Sequence, residues 1–348
     1  MTVTKKILTW FDQHGRKNLP WQHDKTPYRV WVSEIMLQQT QVSTVIAYFQ
    51  RFMSHFPTIE TLANADEDTV LHLWTGLGYY SRARNLHRTA KIVCQQFHGQ
   101  FPDDLDTLKS LPGIGLSTAG AILAIAFEKQ AAILDGNVKR VLCRIYGIQQ
   151  WPGEKEIVNQ LWALAGKLTP KKRVADYTQA IMDLGATLCT RGTPRCPDCP
   201  LLDNCLARQL GIEKKLPSSK PRKTLSTRQA FLLILQNNQH VLLEKRPAPG
   251  IWGGLWSLPE LTHRLTKKEI RLHCQQRFHI HLSEVHFGKP FCHSFSHFHL
   301  TITPVLAAFN STRHKIMDNP LQLWYNLQHP PSVGLPQPIK KLLGTLTT

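Results

Sequence analysis

Four cysteines, Cys189, Cys196, Cys199 and Cys205, fall within 17 consecutive residues with gaps of six, two and five. Thiols at this spacing bind a metal or a cluster. They give up their protons to share the positive charge of iron or zinc, and the bound group orders a loop too short to build its own core. The spacing alone leaves both metals open. Lys171, Lys172, Arg173, Arg191, Arg195 and Arg208 surround the loop, which points it toward an anionic partner. Two carboxylates have settings suited to acid–base work. Glu34 lies in an apolar run from Pro27 to Phe52 that reads as one long helix. At about 100° per residue, Trp31, Val42, Val45, Ile46 and Phe49 form a stripe with Glu34, Gln38 and Gln41 along its edge. A carboxylate at that edge loses solvation and its pKa rises, which suits a general acid near neutral pH. The two amides can read the edge of a base. The plainer alternative is a Glu at a helix boundary paired with Arg82 or Arg84.

Asp135 precedes Gly136, Asn137 and a helix bearing Lys139, Arg140 and Arg144. An Asp there is ordinarily an N-cap, worth about 1 kcal/mol; the same side chain can cap and present a catalytic anion. Upstream, Leu111 to Gly120 (LPGIGLSTAG) puts Gly113 and Gly115 in a tight turn between helices. Glycine lets backbone N–H groups approach an anion at the start of the next helix. An ordinary helix–turn–helix corner would read the same way.

The elements that must position these residues divide the chain. Apolar residues recur every three or four positions from Trp10 to about Leu210, so residues 1–210 read as a helical domain. Residues 211–228 hold Pro217, Ser218, Ser219 and Pro221 among six Lys and Arg, and read as an exposed basic linker. From 229 to 348 the pattern is α+β. FLLIL from Phe231, Asn237-Asn238 and HVLLEK from His240 read as a hairpin, a helix follows from Thr266 to Phe278, and His299 opens another strand. The 348 residues carry 42 Lys+Arg against 24 Asp+Glu, a net charge of +18, so the expected partner is a polyanion, with an anionic membrane surface as the alternative. No apolar run spans a bilayer, no signal pattern opens the chain, and Cys94, Cys143, Cys274 and Cys292 are scattered. Together these predict a cytoplasmic protein in a reducing compartment.

In order, WVSEIMLQQTQV, WTGLGYYSRARNL, LPGIGLSTAG, ILDGNVKRV and MDLGATLCT, with the cysteine cluster, resemble the endonuclease III superfamily of DNA glycosylases and, more narrowly, its MutY-type adenine DNA glycosylases. The resemblance covers nearly the whole chain. It implies a mainly α helix-hairpin-helix domain with an iron–sulfur loop, followed by an α+β MutT/Nudix-like domain. It implies a 4Fe–4S cluster on the four cysteines and excision of adenine mispaired with 8-oxoguanine or guanine, by a monomer acting on flipped nucleotides of duplex DNA. Glu34 then matches the acid that protonates the leaving adenine, at N7. Asp135 matches the anion facing the oxocarbenium-like sugar, and Asn137 its polar partner. Ser117 stands where bifunctional relatives carry a Lys. A hydroxyl cannot form an imine, so the enzyme should be monofunctional unless another lysine such as Lys139 substitutes.

By the same resemblance, Lys17, Leu19 and Trp21 match residues near the adenine pocket, and Gln38 and Gln39 residues that meet the mispair. Tyr79 matches an aromatic wedge beside 8-oxoguanine. Gly113, Gly115 and Gly136 should grip phosphate, with Gln41 and Lys139 also on the DNA-facing surface. Phe295, Ser296 and His297, in HSFSHFHL, match the loop that reads the lesion. Glu260, six residues after Gly254, begins like a Nudix signature. The helix beyond it carries only Glu269, too few carboxylates for magnesium. Three rival readings are an endonuclease III-like glycosylase/lyase, a non-catalytic redox-sensing DNA-binding protein, and a nucleotide pyrophosphatase.

Overall fold

The computed structural model describes residues 1–220, 224–309 and 319–346. Pro221, Arg222 and Lys223 of the expected linker lie outside the described residues. The chain forms two compact units, one of residues 1–64 with 85–222 and the other of residues 65–84 with 223–348. Residues 65–84 were expected in the helical domain; their contacts place them in the second unit. The helices are α1 (Val3–His14), α2 (Pro27–Leu37), α3 (Val42–His55), α4 (Ile59–Ala63), α5 (Glu67–Trp74), α6 (Ser81–Phe97), α7 (Leu105–Ser110), α8 (Leu116–Ala126), α9 (Gly136–Ile145), α10 (Lys155–Leu168), α11 (Val174–Asp183), α12 (Leu206–Gln209), α13 (Lys267–Phe278) and α14 (Gln337–Gly344).

In the first unit, α8 is the pillar. Thr118 through Leu123 and Ala124 are buried in an unbroken run, as expected of a helix apolar on all sides. α2, α7 and α11 pack on it, and α1 packs on α11. The turn into α8 needs Gly113: its φ is +80°, and a Cβ there would sit 2.9 Å from Cβ of Asn85. α2 starts where Thr26 Oγ1 accepts from Arg29 N–H (3.3 Å) and Pro27 takes the first turn, where no N–H is needed. The single helix expected from Pro27 to Phe52 is two helices. Gln39 adopts φ +55°, a left-handed conformation that a right-handed helix cannot continue through, and α3 begins only at Val42. The angular register that carried Glu34 to Gln41 therefore does not hold.

The expected linker is also corrected in part. Leu216 is buried and its carbonyl accepts from Arg144 Nε (2.9 Å), so the segment after α12 packs on the first unit. β1 already begins at Ser226.

The second unit is a mixed sheet of β1 (Ser226–Asn237), β2 (His240–Lys245), β3 (Trp256–Ser257), β4 (Glu260–Leu261), β5 (Leu282–Phe287), β6 (Phe291–Ser294), β7 (Phe298–Phe309) and β8 (Gln322–Asn326). The path is β3-β2-β1-β7-β5, with β4 on β1, β6 on β7 and β8 on β2. β1 and β2 form the expected hairpin, pairing Asn237 with His240 across Asn238 at φ +51°. β1 and β7 run parallel from Ser226↔Phe298 to Gln236↔Ala308. α13 covers the apolar face with Ile270, Cys274 and Phe278. Among the described residues no helix is long and apolar enough to cross a membrane.

Candidate active site

Glu34, Ser117, Asp135, Gly136 and Asn137 line one cavity of about 430 Å³ in the first unit, with Leu19, Trp21, Gln38 and Gln39. A second cavity of about 270 Å³ shares Arg16, Trp21, Glu34 and Gln179 with it and adds Lys17. Residues from α2, the α8 start, the α9 start and the segment before α2 thus converge. Burial, and then the nearby Asp135 carboxylate, push the Glu34 carboxyl from 4.5 up to about 7. Among the described residues of the first unit no cation pairs with Glu34. Within the second unit Arg82 donates to the Leu77 and Gly78 carbonyls.

Asp135 is both cap and presented anion. Oδ1 accepts from Val138 N–H (2.8 Å), and Oδ2 accepts from Asn137 Nδ2 (3.0 Å). Two donors hold the carboxylate in one orientation at the positive end of α9. Asn137 is itself fixed by Arg140, whose Nη2 donates to Asn137 Oδ1 (2.8 Å) and to the Gly185 carbonyl (2.7 Å). Gly185 has to be glycine for this approach, because a Cβ would lie 2.7 Å from Cβ of Asn137. Ser117 Oγ accepts from Leu134 N–H (3.0 Å) and ties the segment leading to Asp135 against α8. Gln38 Nε2 donates to Thr118 Oγ1 (3.3 Å). Trp21 is buried edge-on against Phe49 with centroids 5.5 Å apart, so it is core and cavity wall at once. Gln41 is exposed and lines neither cavity. Gly113, Gly115 and Lys139 also lie off both.

The four cysteines line one small cavity of about 30 Å³. The chain enters the loop through a π turn at Leu184–Leu188. Among the described residues no three His, Cys, Asp or Glu side chains are placed to hold a single metal ion; the four thiols ring a space instead. Burial pushes the Cys199 thiol up to about 12 and raises Cys196 and Cys205, so only a bound positive charge would keep them as thiolates. Arg144, fully buried, donates from Nη1 to Cys189 Sγ (3.2 Å) and to the Thr190 carbonyl (2.8 Å). Of the cations expected to face outward around the loop, Arg173 pairs with Asp12 and Asp176, and Arg208 with Glu213.

In the second unit, Tyr79, Phe295, Ser296 and His297 share a cavity of about 710 Å³ with Trp252 and His293. Tyr79 stands at φ +49° and is 49 % exposed, which an ordinary core tyrosine would not be. Phe295 stacks on Phe298 at 4.5 Å and meets His293 edge-on at 4.8 Å. Glu260 is paired with Arg246 (2.8 Å), and Glu269 is spent on capping α13 through Thr266, so neither is free to gather magnesium.

Sequence reasoning missed several residues. Arg16 donates from its backbone N–H (2.8 Å), Nε (3.0 Å) and Nη2 (2.6 Å) to the buried Asp183, which also accepts from Gln179 Nε2 (2.8 Å). These partners lie 167 residues apart, so no local pattern links them. Arg140 and Arg144 read as a basic helix face, and only their inward turn reveals their work. Trp252 precedes the Gly254 turn, and His293 opens the HSFSHFHL run already noted.

A helical unit with a helix-hairpin-helix, two carboxylates on one cavity and a four-cysteine loop defines a base-excision type of DNA repair protein. Residues 32–167 match the family described as "HhH-GPD superfamily base excision DNA repair protein", and residues 230–345 match the NUDIX domain. The chain is 39 % identical to the adenine DNA glycosylase of Buchnera aphidicola subsp. Acyrthosiphon pisum, over 97 % of this chain and 95 % of that protein. It is 36 % identical to the human adenine DNA glycosylase over 85 % of this chain and 65 % of that one. A thermostable thymine-DNA glycosylase superposes with a TM-score of 0.55 at 27 % identity, covering 60 % of this chain and 95 % of its own. The chain belongs to the adenine DNA glycosylase family.

Proposed function

We propose that the protein excises adenine mispaired with 8-oxoguanine or guanine in duplex DNA and leaves an abasic site. The observation that carries this is the pair of carboxylates on one cavity, one pushed up to about 7 and the other held by two hydrogen bonds. The base must leave the stack to reach them. Protonated Glu34 donates to N7 of adenine, which otherwise departs as a poor anion. As the glycosidic bond breaks, positive charge grows on the sugar and Asp135 faces it. Its two fixed donors keep it from reorganising, so the stabilisation is present before the reaction starts. Asn137 and Arg140 hold Asp135 in place. Ser117 supplies no amine, so the sugar is not trapped as an imine and the strand stays intact.

On this reading the first unit carries the excision chemistry, and the second unit, Tyr79 included, the lesion recognition. Tyr79 with Phe295, Ser296 and His297 suits a flat oxidised purine, since their cavity offers aromatic faces with polar groups at the rim. The basic surface grips phosphate, with the hairpin glycines contributing backbone N–H groups. The four cysteines fit a 4Fe–4S cluster. Such a cluster binds one thiolate at each of four corners, and the four cysteines on one cavity supply them. When bound, the cluster would order the loop and offer one-electron chemistry.

The test is single-turnover release of adenine from an A:8-oxoguanine duplex, with an A:G duplex beside it. Release abolished by Glu34→Gln is expected. No release by the parent protein refutes the function. Strand nicking without alkali, with borohydride trapping, would favour a lyase.

A further inference from the structure

One buried carboxylate beside the cysteine loop takes no part in this reaction. Gly211, at φ +66°, ends α12, and Ile212 N–H donates to the Ala207 carbonyl (2.8 Å), which turns the chain back. In the run Glu213-Lys214-Lys215 both lysines are exposed, whereas Glu213 is only 8 % exposed. Its side chain lines the cavity ringed by the four cysteines. Oε1 accepts from Arg208 (3.1 Å), so the group is ionised. Oε2 is buried with no hydrogen-bond partner.

Burying half of a carboxylate unsatisfied is costly, and an ion pair with Arg208 could be made equally well in solvent. The inward placement therefore bears on what the cavity holds. Four thiolates outweigh the positive charge of a cluster core, so the ligated group is an anion, and each added electron makes it more so. A fixed negative charge beside it opposes reduction and favours loss of an electron. Arg144, donating to Cys189 Sγ, acts in the opposite sense.

We propose that Glu213 is a charge-tuning residue that biases the bound cluster toward its oxidised state. This rests on the four-iron reading of the loop. The couple involves one electron passing between the cluster and a one-electron redox mediator in solution; no bond is made or broken and no proton moves. With a screened interior dielectric and partial neutralisation by Arg208, the bias is about tenfold in the ratio of oxidised to reduced cluster, equivalent to about 59 mV for one electron.

The experiment is an anaerobic mediated redox titration of the full chain, read by visible absorbance, with iron and acid-labile sulfide measured on each sample. Glu213→Gln, which keeps the shape and removes the charge, should raise the midpoint by about 59 mV at unchanged iron content. Arg208→Gln, which leaves the carboxylate uncompensated, should lower it. A loaded Glu213→Gln protein with the parent's midpoint overturns the proposal, as do shifts of the same sign in both variants. If Glu213→Gln does not load, the midpoint of Glu213→Ala, which also removes the charge, decides: a rise supports the proposal, and no change or a fall overturns it. A parent protein lacking iron and sulfide fails the cluster reading itself, and this proposal with it.

Discussion

Replacing Glu34 by Gln should abolish adenine release and at the same time make the protein more stable at alkaline pH. A glutamate at its ordinary 4.5 is protonated in about one molecule in three hundred at pH 7, whereas one at about 7 is protonated in about half. That difference corresponds to about 3 kcal/mol between the two protonation states. Burial supplies most of it and the Asp135 carboxylate adds to it. Because the folded value lies above the unfolded one, the folded state holds the proton more tightly. The stability gained this way is fully present below pH 4.5 and is lost as the pH rises through about 7. At pH 8 the parent protein therefore holds an ionised, poorly solvated Glu34, at a cost of up to about 3 kcal/mol that the neutral amide avoids. Denaturant unfolding of both proteins at pH 8 and at pH 4.5 measures this. The Gln variant should unfold later at pH 8, and the gap should close toward pH 4.5. Single-turnover release by the parent should fall about tenfold per pH unit above 7 as the acid form disappears. A release rate flat from pH 6 to 9, or a variant less stable than the parent at pH 8, would refute Glu34 as the raised acid.

Asp135→Asn should keep α9 intact, because Asn caps a helix as well as Asp, but slow release by about 10²–10³-fold through loss of the charge facing the sugar. Circular dichroism beside the single-turnover rate separates the two effects, and a melted helix would point to capping alone. Ser117→Lys should gain borohydride trapping on an abasic product, whereas the parent shows none; trapping by the parent would mean another amine reaches the sugar. Arg144→Met should lower the iron content of the purified protein, since it leaves the Thr190 and Leu216 carbonyls without their buried donor. Full loading would show that the loop holds without it. DNA affinity should fall steeply with salt as phosphates are neutralised; a salt-independent affinity would remove the basic surface from the account.

Much of the architecture was legible from local pattern. The hairpin at Asn237-Asn238, the helix to Phe278 and the Asp135 cap are each carried by neighbouring residues, and so they appear in order along the chain. The break between α2 and α3 was not legible. Gln38, Gln39 and Thr40 are no strong helix breakers, and the apolar period continues across them, yet Gln39 turns left-handed. Glu213 shows the same limit. Within a run of three charges it reads as a solvated side chain, and only the turn at Gly211 brings it inward.

The amino-acid sequence alone determined which groups are available: two carboxylates, a serine in place of an amine, four closely spaced thiols and a strongly basic balance. Residue chemistry is a property of the chain itself, and short spacings survive folding unchanged. Only the tertiary structure decided what those groups do to one another. Glu34 and Asp135 meet on one cavity although one lies on α2 and the other caps α9, and the acid is raised because burial and a neighbouring charge act through space. Arg16 finds Asp183, and Arg144 finds Cys189, across separations that no sequence period encodes. Solvation and Coulomb interactions depend on distance and on what fills the gap, and both come into being only when the chain is packed.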